Sequence, residues 1–190
     1  MKTNRRDFIR QFSLACGSVL FVTSCDGYIS PWRFFTEEEA KTVIAFAEQI
    51  IPADHDSGAT DANVINFIDK QLVGPYTRFQ TDYRKGIPAI EKSAQAAHSK
   101  TFYDLDWDTQ TRFMEQMERG KLPDKYWEDI DQQQFFRMMM EHSMQGFYGS
   151  PRHGGNKNYV SYKMMKLDYP HIIGQNRYDV KSVSGKTHVL

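Results

Sequence analysis

Cysteine is nearly missing from this chain of 190 residues: Cys16 and Cys25 are the only two. They form no Cys-x-x-Cys pair and no Cys-x-x-Cys-His haem-attachment sequence. Charge imbalance is missing as well, with 24 Lys and Arg against 24 Asp and Glu, so there is no electrostatic footprint for nucleic acid. Val and Ile seldom alternate with polar residues, which removes most of the strand signal. Internal repeats and low-complexity tracts are lacking too. The one weakly apolar run, from Phe12 to Ser24, falls short of the ~20 residues of a membrane span.

What is present begins at the amino terminus. Lys2, Arg5, Arg6 and Arg10 precede that apolar run, and small residues precede Cys25, the layout of a secretory signal. Arg5, Arg6 and Phe8, followed by Ile9 and Arg10, resemble a twin-arginine export motif. Val22-Thr23-Ser24-Cys25 resembles a bacterial lipobox, which makes Cys25 the expected lipidation site. Each buried methylene of an acyl chain contributes about 0.8 kcal/mol to membrane attachment. The expected division is residues 1–24 as signal, 25–35 as linker and 36–190 as a helical domain. The expected location is the periplasmic side of a bacterial membrane, lipid-anchored after export. Removing residues 1–24 takes away four positive charges and one negative, leaving a net −3. With Cys16 cleaved off and Cys25 acylated, the mature chain has no thiol for a disulfide or an iron–sulfur cluster. In a redox system it would therefore not carry the electrons itself. Its length suits one domain burying about 70% of the unfolded surface.

Helical periodicity dominates the rest, so the expected fold is all-α, a single compact domain of five to six helices. Thr36 and Glu39 have the spacing of a capping box, ahead of Val43, Ile44, Ala47, Ile50 and Ile51, and Pro52 ends the element. A second helix is expected after a cap at Thr60 or Asp61, a third from Pro88 to about His98, and a fourth from Asp106 or Asp108 to Gly120. A fifth spans about Asp131 to Gln145, closed by Gly146 in the left-handed conformation, and a short sixth covers Tyr159 to Leu167.

Candidate chemistry is sparse. His55, between Asp54 and Asp56, has no ligand spacing, and Glu141-His142 lacks the second His of a zinc-protease motif. His142 reads as a packed or capping histidine near a helix C-terminus. Met138, Met139, Met140 and Met144 read as core or interface filler. Asp104, Asp106 and Asp108 lack the Gly and Glu of a calcium loop and read as helix caps. No residue of this chain is assigned to catalysis, to a metal or to a cofactor.

The unusual stretch is Gly146 to Asn158, GFYGSPRHGGNKN. A helix precedes it, so Gly149, Gly154 and Gly155 make no dinucleotide fingerprint. Pro151 fixes one turn and Gly154-Gly155 permits another. On that frame Phe147, Tyr148, Arg152 and His153 are expected to project, and preorganised aromatic and Arg side chains are what interface hot spots use. The expected partner interface is Phe147, Tyr148, Gly149, Pro151, Arg152, His153, Gly154, Gly155 and Asn156.

His142, Gly146-Phe147-Tyr148-Gly149, Pro151-Arg152 and Gly154-Gly155-Asn156 together resemble the signature of the gluconate 2-dehydrogenase subunit 3 family. Gly58-Ala59-Thr60 and Asp168-Tyr169-Pro170 resemble it as well, so the likeness spans the mature chain. Tyr162 departs from it, since many members have Trp there. The resemblance implies a small non-catalytic subunit that docks, matures and helps export a larger FAD-dependent sugar or sugar-acid dehydrogenase. FAD would sit in that partner, and haem in a cytochrome c accepting the electrons. Further partners would be the twin-arginine translocase and, through the lipid, the membrane. The competing readings are a stand-alone carbohydrate-binding lipoprotein and a hydrolase or lyase using His142, His153 and Tyr148.

Overall fold

Six α-helices carry the architecture of the computed structural model, which describes residues 31–167 and two short strands beyond them. They are α1 (Glu37–Ile50), α2 (Val64–Leu72), α3 (Gln80–His98), α4 (Trp107–Glu118), α5 (Gln132–Tyr148) and α6 (Val160–Met164). The strands β1 (His171–Ile173) and β2 (Arg177–Asp179) pair antiparallel, with Ile172 opposite Tyr178. The fold is all-α, with this small hairpin as an addition that sparse alternation did not signal. Arg5, Arg6, Phe8, Cys25 and Asp168-Tyr169-Pro170 lie outside the described residues. No helix among the described residues is long and apolar enough to cross a membrane.

Local chemistry sets the helix starts. Thr36 and Glu39 form the full capping box: the Thr36 hydroxyl accepts from the Glu39 amide, and the Glu39 carboxylate accepts from the Thr36 amide. Asp106 and Asp131 cap α4 and α5 by accepting from the amides of Thr109 and Gln134. Such caps are worth about 1 kcal/mol each. Between α1 and α2, the Glu48 carboxylate gathers the loop by accepting from the Ala53 amide and from both the amide and the hydroxyl of Thr60.

Helix α5 is the hub and contacts each of the other five. Phe135, Phe136, Met139, His142, Ser143, Gly146 and Phe147 recur at the three- and four-residue spacing of one buried face. Around them pack Phe46 of α1, Ile68 and Leu72 of α2, Tyr83 and Ile90 of α3, and Met117 of α4, all fully buried.

Three sequence expectations are corrected. Helix α3 starts eight residues before Pro88, which lies inside it. Proline removes one main-chain hydrogen bond, but Tyr83, Ile87, Ile90 and Ala94 are buried on one face and packing outweighs that loss. Helix α2 is capped by neither Thr60 nor Asp61. It begins after Asn63, which adopts left-handed φ/ψ of 56° and 41° without a side-chain cap. Helix α5 passes through Gly146 and ends at Tyr148, where Gly149 caps it in an extended conformation, φ −73° and ψ 175°.

Candidate functional site

The chain enters the fold through a clasp. The Asp69 carboxylate, on the buried face of α2 and 0% exposed, accepts from the amides of Arg33 at 2.9 Å, Phe34 at 2.8 Å and Phe35 at 3.2 Å. The Arg33 guanidinium adds a fourth contact at 3.4 Å. Over this strap the Arg84 guanidinium lies 4.0 Å from the centre of the Phe34 ring. It also donates to the Phe34 carbonyl and pairs with Glu39. Phe35 is buried against Tyr83. A carboxylate on the apolar stripe of Val64, Ile65, Ile68 and Leu72 was the sequence signal for this clasp.

The glycine-rich segment is fastened to α2 as well, and Asn66, which also accepts from the Arg33 guanidinium at 3.2 Å, joins the two attachments. Three successive carbonyls, of Arg152, His153 and Gly154, accept from Lys70, Gln71 and Asn66 at 3.2, 3.3 and 2.7 Å. The Lys157 amide donates to the Ala62 carbonyl at 3.0 Å. Asn156, 0% exposed, donates to the Gly149 carbonyl at 2.9 Å and accepts from the Ser161 amide at 3.0 Å. Its left-handed φ of 44° is one that Asn tolerates better than most residues. Gly154 turns the chain at φ 109°, and Gly155 lies flat on the end of α5. A Cβ on Gly155 would stand 2.1 Å from the Gly146 carbonyl oxygen.

The expected interface residues therefore divide. Tyr148, 37% exposed, stands at the surface, as do Arg152 and His153, whose side chains bond each other at 3.0 Å. Gly149, Pro151 and Gly154 are half-buried turn residues. Gly155 and Asn156 are buried. Phe147 does not project as expected. It is 1% exposed, because α5 continues through Gly146 and so places Phe147 on its core-facing side.

His142 is 3% exposed and sits inside an aromatic cage. Tyr76 stacks on it at 4.5 Å, Tyr83 lies nearly parallel at 5.9 Å, and Phe79 meets it edge-on at 4.9 Å. Its Nδ1 is 3.0 Å from the Tyr83 hydroxyl. Burial, with a smaller push from Arg78, lowers its pKa from 6.5 to about 4. The ring is thus packed, as one reading had it, and neutral. It is not the charged cap of a helix end, which lies six residues further on.

Below pH 6.5 the unfolded chain takes up a proton that the native ring refuses until about pH 4. Stability is then lost as pH falls through that window, by about 2 kcal/mol between pH 7 and pH 5. Urea titrations across this range check it. His142→Gln, which can still accept from Tyr83, is expected to flatten the dependence. Equal slopes for the two proteins would assign the effect to another group.

No hydrogen bond or ring contact joins His142, His153 and Tyr148. His142 belongs to the Tyr76–Tyr83 cage, while burial and the nearby Arg152 and Lys70 lower the pKa of His153. The three make no acid–base–nucleophile array. No cluster of three or more His, Cys, Asp or Glu among the described residues is placed to hold a metal.

A cleft of about 460 Å³ opens between α5, the first turn of α3 and the segment before α5, with His142 on its wall. Sequence reasoning missed it, since its two sides come from separate stretches of the chain. Comparison with known proteins gives one family match. The family described as gluconate 2-dehydrogenase subunit 3 matches residues 37–168, a span from the start of α1 to just past α6. No curated protein and no solved structure matches the chain.

Proposed function

The chain belongs to the gluconate 2-dehydrogenase subunit 3 family, and from that premise we propose that it is the docking and export subunit of a dehydrogenase complex. A larger FAD-dependent subunit oxidises a sugar or sugar acid, and this chain supplies a rigid surface and an address. In this reading the leader with Arg5, Arg6 and Phe8 carries the assembled pair through the twin-arginine translocase. Cys25 then anchors it on the periplasmic side of the membrane, and a cytochrome c takes the electrons onward.

One observation carries the docking role. Tyr148 ends α5, and the carbonyls of Arg152, His153 and Gly154 accept from the side chains of Lys70, Gln71 and Asn66, so the exposed side chains of Tyr148, Arg152 and His153 stand on a frame already set. Binding through such a frame loses little conformational entropy. Met144, one turn before Tyr148 on α5, is 41% exposed and extends the same surface with an adaptable apolar side chain.

Co-expression with the larger subunit tests the reading. Truncating a central aromatic or Arg anchor costs about 2 kcal/mol or more, roughly thirtyfold in affinity. Tyr148→Ala and Arg152→Ala are each expected to abolish co-purification at micromolar concentration, with helical circular dichroism unchanged. Retained co-purification with both variants would move the interface elsewhere. A larger subunit exported and active without this chain would remove the escort role.

A further inference from the structure

The cleft beside His142 has a floor and a rim of opposite character. Phe79, Ile130, Phe135 and Met138 line it with apolar surface. Around them stand Asp82, Asp129, Asp131, Glu141 and Arg137, so the lining carries a net −3, flanked by Arg78 over the Phe79 ring and Lys85 at the Asp129 carbonyl. Its volume of about 460 Å³ falls in the ~300–1,000 Å³ range of ligand pockets.

His142 adds a directed polar group. Burial raises the pKa of Tyr83, so its hydroxyl keeps a proton that it can give to His142 Nδ1, 3.0 Å away. With the Tyr83 hydroxyl as donor, the ring's own proton is on Nε2. An N–H donor on the wall suits an incoming carbonyl and opposes a bare cation. The acidic rim opposes anions. Apolar floor, acidic rim and a donor at His142 together describe a peptide that is basic, carries large apolar side chains and presents its backbone.

The chain itself contains such a peptide. Residues 1–14, MKTNRRDFIRQFSL, hold Lys2, Arg5, Arg6 and Arg10 around Phe8, Ile9 and Phe12, with Asp7 the one acid, a net +3. The point of entry favours it too. Residues 33–35 are clasped by Asp69 on α2 and by Arg84 on α3, the helix whose first turn forms one side of the cleft. Phe35 packs on Tyr83, which in turn bonds His142. The stretch from Phe8 to Pro31 spans up to about 75 Å, against a radius of gyration of about 14 Å for the described domain.

We propose that the amino-terminal segment around Arg5–Arg10 docks in the cleft between α3 and α5 of its own chain. Phe8 or Ile9 fills the floor, the arginines meet the rim carboxylates, and a backbone carbonyl accepts from His142. Tethering supplies an effective concentration of about 1 mM. A segment whose free peptide binds at about 0.1 mM would therefore occupy the cleft about nine-tenths of the time in the intact chain. Removal of residues 1–24 would vacate the cleft, so the uncleaved and cleaved chains present different surfaces. The inference does not depend on the docking role of Tyr148 and Arg152.

The test uses the full chain with Cys25→Ser, which retains the leader, and a photo-crosslinking amino acid in place of Phe8. Crosslinks are expected in Phe135–His142 and Phe79–Asp82, and their yield should fall with added salt. Asp82→Lys with Glu141→Lys, a half-buried and an exposed position, should lower that yield at least tenfold while helical content is kept. Free peptide 1–14 should compete only near millimolar concentration. A yield unmoved by the charge reversals would overturn the proposal, as would crosslinks on another face. Crosslinks running only between isotopically distinct copies would assign the cleft to a second molecule and overturn it equally.

Discussion

Asp69→Ala is expected to remove roughly 4–5 kcal/mol of stability, a large part of the 5–15 kcal/mol of an ordinary domain. The carboxylate accepts three consecutive main-chain amides, of Arg33, Phe34 and Phe35. Alanine leaves all three without an acceptor, and each such loss costs about 1–3 kcal/mol where water cannot enter. Arg33 also loses its buried counter-charge. Phe35 depends on the same strap for its place against Tyr83. Asp69→Asn keeps one acceptor oxygen but turns amide hydrogens toward other amides, so an intermediate loss of about 2 kcal/mol is expected. Urea midpoints of the three proteins check the order. A loss below about 1 kcal/mol for Asp69→Ala would show that the strap is held by Phe35 burial and Arg84 instead.

Gly155→Ala is expected to be nearly as damaging, at about 3 kcal/mol or more. The added Cβ would meet the Gly146 carbonyl oxygen at 2.1 Å and its Cα at 3.1 Å. Both belong to the main chain of α5, which cannot rotate away as a side chain can. Relief requires lifting the segment off the helix, which strains the Asn156 bonds to Gly149 and Ser161. Gly149, Pro151 and Arg152 would move with it. Thermal melts and amide exchange at Lys157 and Ser161 read the damage. An unchanged melt would mean that the segment adapts freely, which would also undercut its use as a preset docking frame.

These two residues show what the sequence disclosed and what it hid. Residues that act on near neighbours were legible: Thr36 with Glu39, Asp106 with Thr109, Asp131 with Gln134. The all-α class followed from the spacing of apolar residues. Gly155 stood out by composition, but its glycines suggested a projecting loop when their first duty is close packing on α5. Local turn chemistry does not say which surface a turn faces. Asp69, Asn66 and Gln71 act across 34 to 88 positions, and no short-range rule finds such partners. Pro88 misled for a related reason: local propensity is a weak prior where a whole helix face is buried. Of the expected interface, Tyr148, Arg152 and His153 were correctly singled out as exposed, whereas Phe147 was lost with the misplaced end of α5.

The clasp at residues 33–35 also fixes a length. Under the proposed anchoring, only residues 26–32 separate an acylated Cys25 from the first amide held by Asp69, a leash of at most about 27 Å when taut. That is of the order of the domain's own width. The body would therefore hover within one diameter of the headgroups and could sweep only a small disc around its lipid. A larger subunit mounted on Tyr148 and Arg152 would inherit that confinement, so its catalytic mouth would meet a membrane-bound electron acceptor by two-dimensional search.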